Sequence, residues 1–435
     1  MNFKVIFKKF TLLICVLLLS FTPKAQNSFN IIGKNEVTSV PFQFKNNLIL
    51  IPISINNQEF TFILDTGVSK TLLFNIKAND SVKLNNRKKV RIKGLGANEY
   101  YRAIKSTYNF IKIKNVIHPK AEIYLITEAN FDFSSRIGID VHGIIGADLL
   151  KNFIVEIDYI KKKIKFYKSK KIKLRRKKKW KIIPIKIINE KPYIALKINN
   201  TIQNLLIDSG SGDALWLFEN ENNKIPKKHF EDYLGNGLSG EIHGKKAKIK
   251  DFFLGNFHLK NVLVAYPDST YIQYKKDGFT RNGIIGGNIL KRFKVILDYP
   301  NKRLFLKKNS KFNEPFWYNK TGLDISYNGK ILVKEQKINL LNSDSNGNKT
   351  IDFLSIIQFA FKDSYIISGV KKGSSGEKAG LQKGDVLIEI NGRQSFNYKL
   401  EDIIQKLSGK KKKVHLTIER NSIKYKFEVP LIDYL

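Results

Sequence analysis

The sequence predicts an all-β chain of two similar lobes, followed by a separate C-terminal β domain with short helices. Three observations predict it. More than a hundred residues recur once, in the same order and spacing; short runs of alternating apolar and polar residues fill both copies; and beyond Lys308 the repeat stops and the pattern changes. The expected boundaries are 36–168 for the first lobe, 178–310 for the second and 321–433 for the third domain.

The repeat can be followed residue by residue. Asn46-Asn47-Leu48-Ile49-Leu50-Ile51 leads to Ile63-Leu64-Asp65-Thr66-Gly67, and 143 residues later Asn189-Glu190-Lys191-Pro192-Tyr193-Ile194 leads to Leu206-Ile207-Asp208-Ser209-Gly210. Further on, Gly143-Ile144-Ile145-Gly146 matches Gly283-Ile284-Ile285-Gly286, and Asp158-Tyr159 matches Asp298-Tyr299. Runs rich in Ile, Val, Phe and Tyr, bounded by Gly, Asn, Asp or Pro, read as strands. Asn56-Asn57 and Asn199-Asn200 suit tight hairpin turns, because Asn tolerates positive φ. Short helices are expected at 147–151 and 287–291, after each Gly-Ile-Ile-Gly. The join at 161–181 holds 14 basic residues in 21, and alternation through Ile164-Lys165-Phe166-Tyr167 suggests an edge strand with basic outward positions.

Composition removes several kinds of chemistry. Lysine and arginine number 77 against 38 acidic residues, a net charge of +39 over 435 residues, spread along the whole chain. The one cysteine, Cys15, lies inside the N-terminal apolar run, which excludes a disulfide framework, a cysteine zinc site and thiol catalysis. The six histidines show no HExxH or close HxH spacing, so no metal is expected. Lys4, Lys8 and Lys9 precede the apolar run from Thr11 to Phe21, and Pro23-Lys24-Ala25 follows. That is the layout of a secretory leader over residues 1–25, cut after Ala25. The expectation is an exported chain: periplasmic, envelope-associated or secreted.

The chemistry concentrates at Asp65-Thr66-Gly67 and Asp208-Ser209-Gly210. Each aspartate follows an apolar strand, which delivers its carboxylate to a fixed point, and each glycine lets the backbone turn tightly toward its mate. Two carboxylates about 3 Å apart cannot both ionise, so such a pair shares one proton. The ionised member can then activate a water while the protonated one polarises a carbonyl. One D-[ST]-G tripeptide is a common turn; two at equivalent places in a repeat, each followed by an apolar-apolar-Gly segment about 80 residues on, are a specific signal.

This constellation resembles the pepsin/retropepsin-like aspartic proteases over roughly residues 40–308. The resemblance implies a bilobal, duplicated β-barrel fold in which Asp65 and Asp208 are the catalytic dyad. It makes Thr66 and Ser209 cross-bracing hydroxyls, with Gly67 and Gly210 allowing close approach and Ser69 supporting the first aspartate's outer oxygen. Ile144-Ile145-Gly146 and Ile284-Ile285-Gly286 would pass behind the two loops. The family's flap would fall on Gly94-Leu95-Gly96 through Tyr100 and Tyr101, with the stretch 237–244 as its counterpart. The second lobe departs from the pattern: Gly212 replaces the hydroxyl equivalent to Ser69, and an inward-pointing Asp213 would raise the pair's pKa values.

In the third domain, Gly373-Ser374 is followed by Ala379-Gly380-Leu381, Gly384-Asp385-Val386-Leu387-Ile388 and Ile390-Asn391-Gly392. A helix after Gly373, a turn at Gly384-Asp385, a hairpin at Asn391-Gly392, a helix at 398–407 and strands at 414–419 and 423–429 are expected. The string is similar to the signature half of a PDZ domain. That resemblance implies a β-sandwich with short helices accepting a peptide as an added strand, with Leu323 and Ile325 as the peptide-binding candidates. Residues 342–349, rich in Ser, Asn and Asp, read as a loop.

The whole suggests an exported aspartic endopeptidase, monomeric, acting without cofactor or metal on a peptide or protein substrate. Its PDZ-like domain would recruit peptide or a protein partner. Nucleic acid is not an expected partner; an anionic envelope surface is a candidate contact for the basic charge. The rival reading is a catalytically silent envelope peptide-binding protein of the same fold. A third is a basic surface protein holding anionic lipid or polysaccharide.

Overall fold

A computed structural model describes residues 27–76, 82–92, 101–127, 133–168, 172, 177–237, 240–268, 275–276, 279–342, 351–409 and 411–435. The leader expected over 1–25 lies outside them. The chain is mostly β, as its alternating patterns require.

In the first lobe the strand pairings close into a circuit. Leu48–Ile55 pairs with Gln58–Leu64, which runs parallel to Gly143–Ile145. The circuit continues through Thr71–Leu73, Val116–Ile126 and Tyr101–Ile113, and returns to Leu48–Ile55. The second lobe repeats the order with Lys191–Ile198, Thr201–Ile207, Gly283–Ile285, Leu215–Leu217, Phe257–Pro267, Gly240–Leu254 and His229–Gly237. Here the closing ladder between Lys191–Ile198 and Gly240–Leu254 is not formed among the described residues. The hairpin turns adopt the left-handed backbone that asparagine tolerates: φ is 48° and 73° at Asn56 and Asn57, and 48° and 65° at Asn199 and Asn200.

The lobes share a third, six-stranded sheet, ordered Lys181–Pro184, Arg303–Lys308, Phe293–Asp298, Ile154–Asp158, Lys163–Tyr167, Val37–Pro41. Its centre is antiparallel, with Glu156 opposite Ile296, and each half contributes equivalent strands. This corrects one expectation. Lys163–Tyr167 is no edge strand, because Ile154–Asp158 flanks it on one side and Val37–Pro41 on the other. Alternation alone cannot tell an edge from an interior strand; the partner that covers it comes from residues 37–41, far away in sequence. Ile164 and Phe166 point inward and Lys163 outward, as the alternation requires. One hydrophobic core runs from Phe29 through both lobes to Tyr318.

The helices after Gly146 and Gly286 span Ala147–Leu150 and Gly287–Leu290. Arg292 follows the second and is buried; its guanidinium donates to the carbonyls of Phe312 and Glu314 and lies 3.6 Å from the Phe316 ring. It thereby ties the segment leaving the second lobe to that lobe.

The C-terminal domain has its own core, including Leu323, Tyr365, Ile390, Ile403 and Ile418. Ser374 caps the helix Ser375–Lys378 by accepting from Glu377 N at 3.2 Å, and Gly380, Gly384 and Gly392 take positive φ at the expected turns. The helix Leu400–Leu407 and strands Lys413–Arg420 and Ile423–Pro430 follow. Between its two halves lies a long hairpin of Leu323–Asn342 and Ile351–Val370. The loop expected near 342–349 falls almost wholly outside the described residues.

This domain is docked on the lobes. Tyr318 Oη donates to Asp433 at 2.5 Å, Lys45 reaches Glu401 at 3.5 Å, and Lys371 pairs with Asp232. Tyr434 and Leu435 pack against the two-lobe core.

Candidate active site

Each aspartate is carried by a strand that the Gly-Ile-Ile segment flanks. Asp65 N donates to Ile145 O at 2.9 Å, and Asp208 N donates to Ile285 O at 2.9 Å. The glycine that closes each segment, Gly146 or Gly286, is required by the loop packed on it. A Cβ on Gly146 would collide with Val68 O and stand 2.7 Å from Asp65 O; on Gly286 it would collide with Asp213 O. Each helix start then ties the loop down, with Ala147 N donating to Val68 O at 2.9 Å and Gly287 N to Ser211 O at 2.7 Å.

The two loops lock together through reciprocal hydrogen bonds. Thr66 Oγ1 donates to Ile207 O at 2.6 Å and accepts from Ser209 N at 2.9 Å. Ser209 Oγ donates to Leu64 O at 2.7 Å and accepts from Thr66 N at 3.1 Å. Both hydroxyls are buried. This lattice brings the carboxyls of Asp65 and Asp208 into hydrogen-bond contact, each about 8% exposed. Gly67 N donates to Asp65 Oδ1 at 2.6 Å and Gly210 N to Asp208 Oδ1 at 2.8 Å. Only glycine fits at these two positions: a Cβ on Gly67 would stand 2.7 Å from Asp208 Oδ2, and one on Gly210 would strike the Asp65 carboxyl.

Burial raises the Asp65 pKa well above its ordinary value, and the charge of Asp208 and a hydrogen bond to it raise it further. Gly67 N–H and the Lys191 ammonium act in the opposite direction. Burial and the neighbouring carboxylate thus favour the protonated form of Asp65.

Ser69 and Gly212 show how the lobes differ. Ser69 Oγ donates not to an aspartate but to Asn189 O, at 3.0 Å across the lobe boundary. At the equivalent place Gly212 has no hydroxyl; instead its carbonyl accepts from Asn47 Nδ2 at 2.8 Å. A Cβ there would stand 2.5 Å from Asn46 O, so the turn of the first lobe excludes a side chain. Asp213 points away from the pair: it accepts from Trp216 Nε1 at 2.7 Å and meets Lys246 at 3.5 Å. Trp216 is nonetheless both core and cleft wall, whereas Tyr193 is buried core.

The aspartates lie in a cleft of about 1820 Å³ that also reaches the C-terminal domain. Tyr100 and residues 94–96 lie outside the described residues, as does the side chain of Tyr101, which opens the strand Tyr101–Ile113. The second-lobe counterpart is the hairpin of His229–Gly237 and Gly240–Leu254, with Arg136 of the first lobe 4.0 Å over its Tyr233 ring. Leu323 and Ile325 are buried in the C-terminal core, and the first-lobe helix Phe133–Ile137 packs against their strand. Sequence reading missed a chain of charges that joins the second lobe to the C-terminal domain: Lys246 meets Asp213 at 3.5 Å and Asp232 at 2.9 Å, and Lys371 of the C-terminal domain meets the Asp232 carboxylate. No periodicity or motif marks these four residues.

Comparison with known proteins agrees with both halves of this architecture. Residues 51–149, the first lobe with Asp65, match the family model described as aspartyl protease. Residues 366–420 match the PDZ domain model. The chain thus carries an aspartyl protease domain and a C-terminal PDZ domain. A probable CtpA-like serine protease of Staphylococcus saprophyticus is 39% identical over 101 residues, which cover 22% of this chain and 19% of that protein. The chain therefore spans about a fifth of the length of this curated relative.

Proposed function

We propose that the protein is an exported aspartic endopeptidase. The observation that carries this reading is the hydrogen-bonded pair Asp65 and Asp208, braced by Thr66 and Ser209. A water held between the two carboxyls loses its proton to the ionised member and attacks the peptide carbonyl. The protonated member donates to that carbonyl oxygen, and the tetrahedral intermediate collapses as the leaving nitrogen takes a proton from the pair. The threonine and serine hydroxyls act by position, fixing the carboxyls before substrate arrives. Ser209 and Thr66 spend their hydroxyls on backbone carbonyls, which favours the aspartates over a serine nucleophile at this site. The PDZ domain recruits the peptide or a protein partner, raising its local concentration at the cleft.

The test is cleavage of a peptide library by the 26–435 protein from about pH 3 to 8, beside Asp65→Asn and Asp208→Asn. Loss of cleavage in both single variants, with folding retained, is the expected result. Cleavage that survives both would remove the dyad; no cleavage by the unaltered protein at any pH would leave the silent peptide-binding reading. Residence is tested separately, by following the N-terminus of the mature chain after expression in a Gram-negative host.

A further inference from the structure

The duplication supplies pairs of equivalent positions, and where both members line the cleft their difference describes the substrate. Ile63 and Leu206 are one such pair, Ile144 and Ile284 another; both are apolar on either side. Leu48 and Lys191 are a third pair, 143 residues apart, and they differ. Each opens the long strand of its lobe, Leu48–Ile55 or Lys191–Ile198, directly after a left-handed two-residue turn. These turns have φ of 47° and 63° at Asn46 and Asn47, and 49° and 67° at Asn189 and Glu190. Each turn is also held by the opposite lobe, Asn47 through Gly212 O and Asn189 through Ser69 Oγ. Leu48 and Lys191 are thus fixed beside the opposite lobe's aspartate loop, one on each flank of the pair.

We propose that Lys191 and Leu48 set the substrate class of this cleft, a peptide with an acidic side chain on one flank of the scissile bond and an apolar one on the other. Among the described residues the Lys191 ammonium makes no salt bridge, although it lines the cleft. Three other carboxylates of the wall are engaged: Asp213 and Asp232 by Lys246, and Glu314 by Lys311 at 2.8 Å. Lys191 is near enough to act electrostatically on Asp65, so a substrate carboxylate bound to it sits next to the reacting bond. A cation left unpaired in a half-buried wall favours a ligand that brings the missing anion, and a carboxylate accepts a charge-assisted hydrogen bond from it.

The inference rests on the proteolytic reading, and the experiment separates the two. Peptides carrying Glu or Gln at each of the positions flanking the scissile bond are compared by kcat/KM for the full mature chain. Binding of the same peptides to Asp208→Asn is measured alongside. At one flanking position Glu is expected to exceed Gln by about tenfold, a preference that shrinks with added salt. Lys191→Leu, which copies the other lobe's residue, brings the ratio near one; Leu48→Lys creates a Glu preference on the opposite side. If the unaltered chain shows no Glu preference, or if Lys191→Leu keeps it, the assignment is wrong. If nothing is cleaved but the binding ratio behaves as stated, the proteolytic reading fails and Lys191 remains an acidic-peptide contact.

Discussion

Asn47 Nδ2 donates to the carbonyl of Gly212 at 2.8 Å, so a side chain of one lobe holds the backbone of the other lobe's aspartate loop. Its mirror contact is made differently, by the Ser69 hydroxyl on Asn189 O. The missing hydroxyl at Gly212 is therefore no loss of support for Asp208. Gly212→Ser should not improve the enzyme. The added Cβ would stand 2.5 Å from Asn46 O, and the strain of overpacking costs about 1–3 kcal/mol. Denaturant unfolding of Gly212→Ser and Asn47→Ala, with cleavage rates, checks this; a stabilised Gly212→Ser would overturn it.

The hydroxyls at Thr66 and Ser209 are buried, and each satisfies a carbonyl and an N–H of the opposite lobe. Thr66→Val keeps the shape but leaves Ile207 O and Ser209 N without their partner. Unpaired buried groups cost about 1–3 kcal/mol each. The expected outcome is a lower unfolding midpoint in Thr66→Val and in Ser209→Ala. A fall in kcat larger than the change in KM should accompany it, since the bonds position the carboxyls rather than bind substrate. Unchanged kcat in both variants would refute the positioning role.

Asp65 has a raised pKa because of burial and then the neighbouring Asp208. The folded chain therefore holds its proton more tightly than the unfolded chain, whose carboxyl titrates near 3.8. By linkage, the contribution of Asp65 to stability is fully present below that value and is lost as pH rises toward the folded pKa. Asp65→Asn should flatten this part of the stability-against-pH curve and make the protein relatively more stable at neutral pH. If the proposed dyad cleaves peptides with a shared proton, cleavage should fall over the same alkaline limb. Urea midpoints of both proteins across the acid range measure the effect; parallel curves would exclude it.

Much of this site could be read from the sequence because the duplication writes it twice. Asp65 and Asp208, their hydroxyl neighbours and the supporting Gly-Ile-Ile-Gly segments recur at fixed offsets, and the turns at Asn56-Asn57 and Asn199-Asn200 follow from asparagine's tolerance of positive φ. What the sequence hid are contacts between unlike elements. Ser69 was expected beside Asp65 and instead bonds to Asn189 O, a choice set by how the lobes meet. The strand at 163–167 gained a second partner from residues 37–41. Asp213, Lys246, Asp232 and Lys371 lie on a loop, a hairpin and a different domain, so no local period could link them.

That chain of charges makes the last prediction. The Asp232 side chain is about 8% exposed, and that shielding alone would raise its pKa, but Lys246 and Lys371 together hold it below its ordinary value. Because Lys371 belongs to the PDZ domain and Lys246 also meets Asp213 on the aspartate loop, one carboxylate holds the docked domain to the cleft. Asp232→Asn takes from Lys371 its ion-pair partner and leaves Lys246 only Asp213 at 3.5 Å, and removing one partner of a buried pair typically costs about 3–5 kcal/mol. The PDZ domain should then detach while both cores stay folded, so limited proteolysis should cut between the two cores, near 309–322, where the unaltered protein resists. A depressed pKa works in the opposite sense to that of Asp65: this contribution is present above about 3.8 and is lost as pH falls through the folded value. Acidification alone should therefore loosen the unaltered protein at the same place. Lys371→Met should reproduce the proteolytic pattern of Asp232→Asn with a smaller loss of stability, since it removes one cation and leaves Lys246 paired. If Asp232→Asn resists proteolysis as the unaltered chain does, the docking rests instead on the Tyr318 and Tyr434 contacts with Phe230.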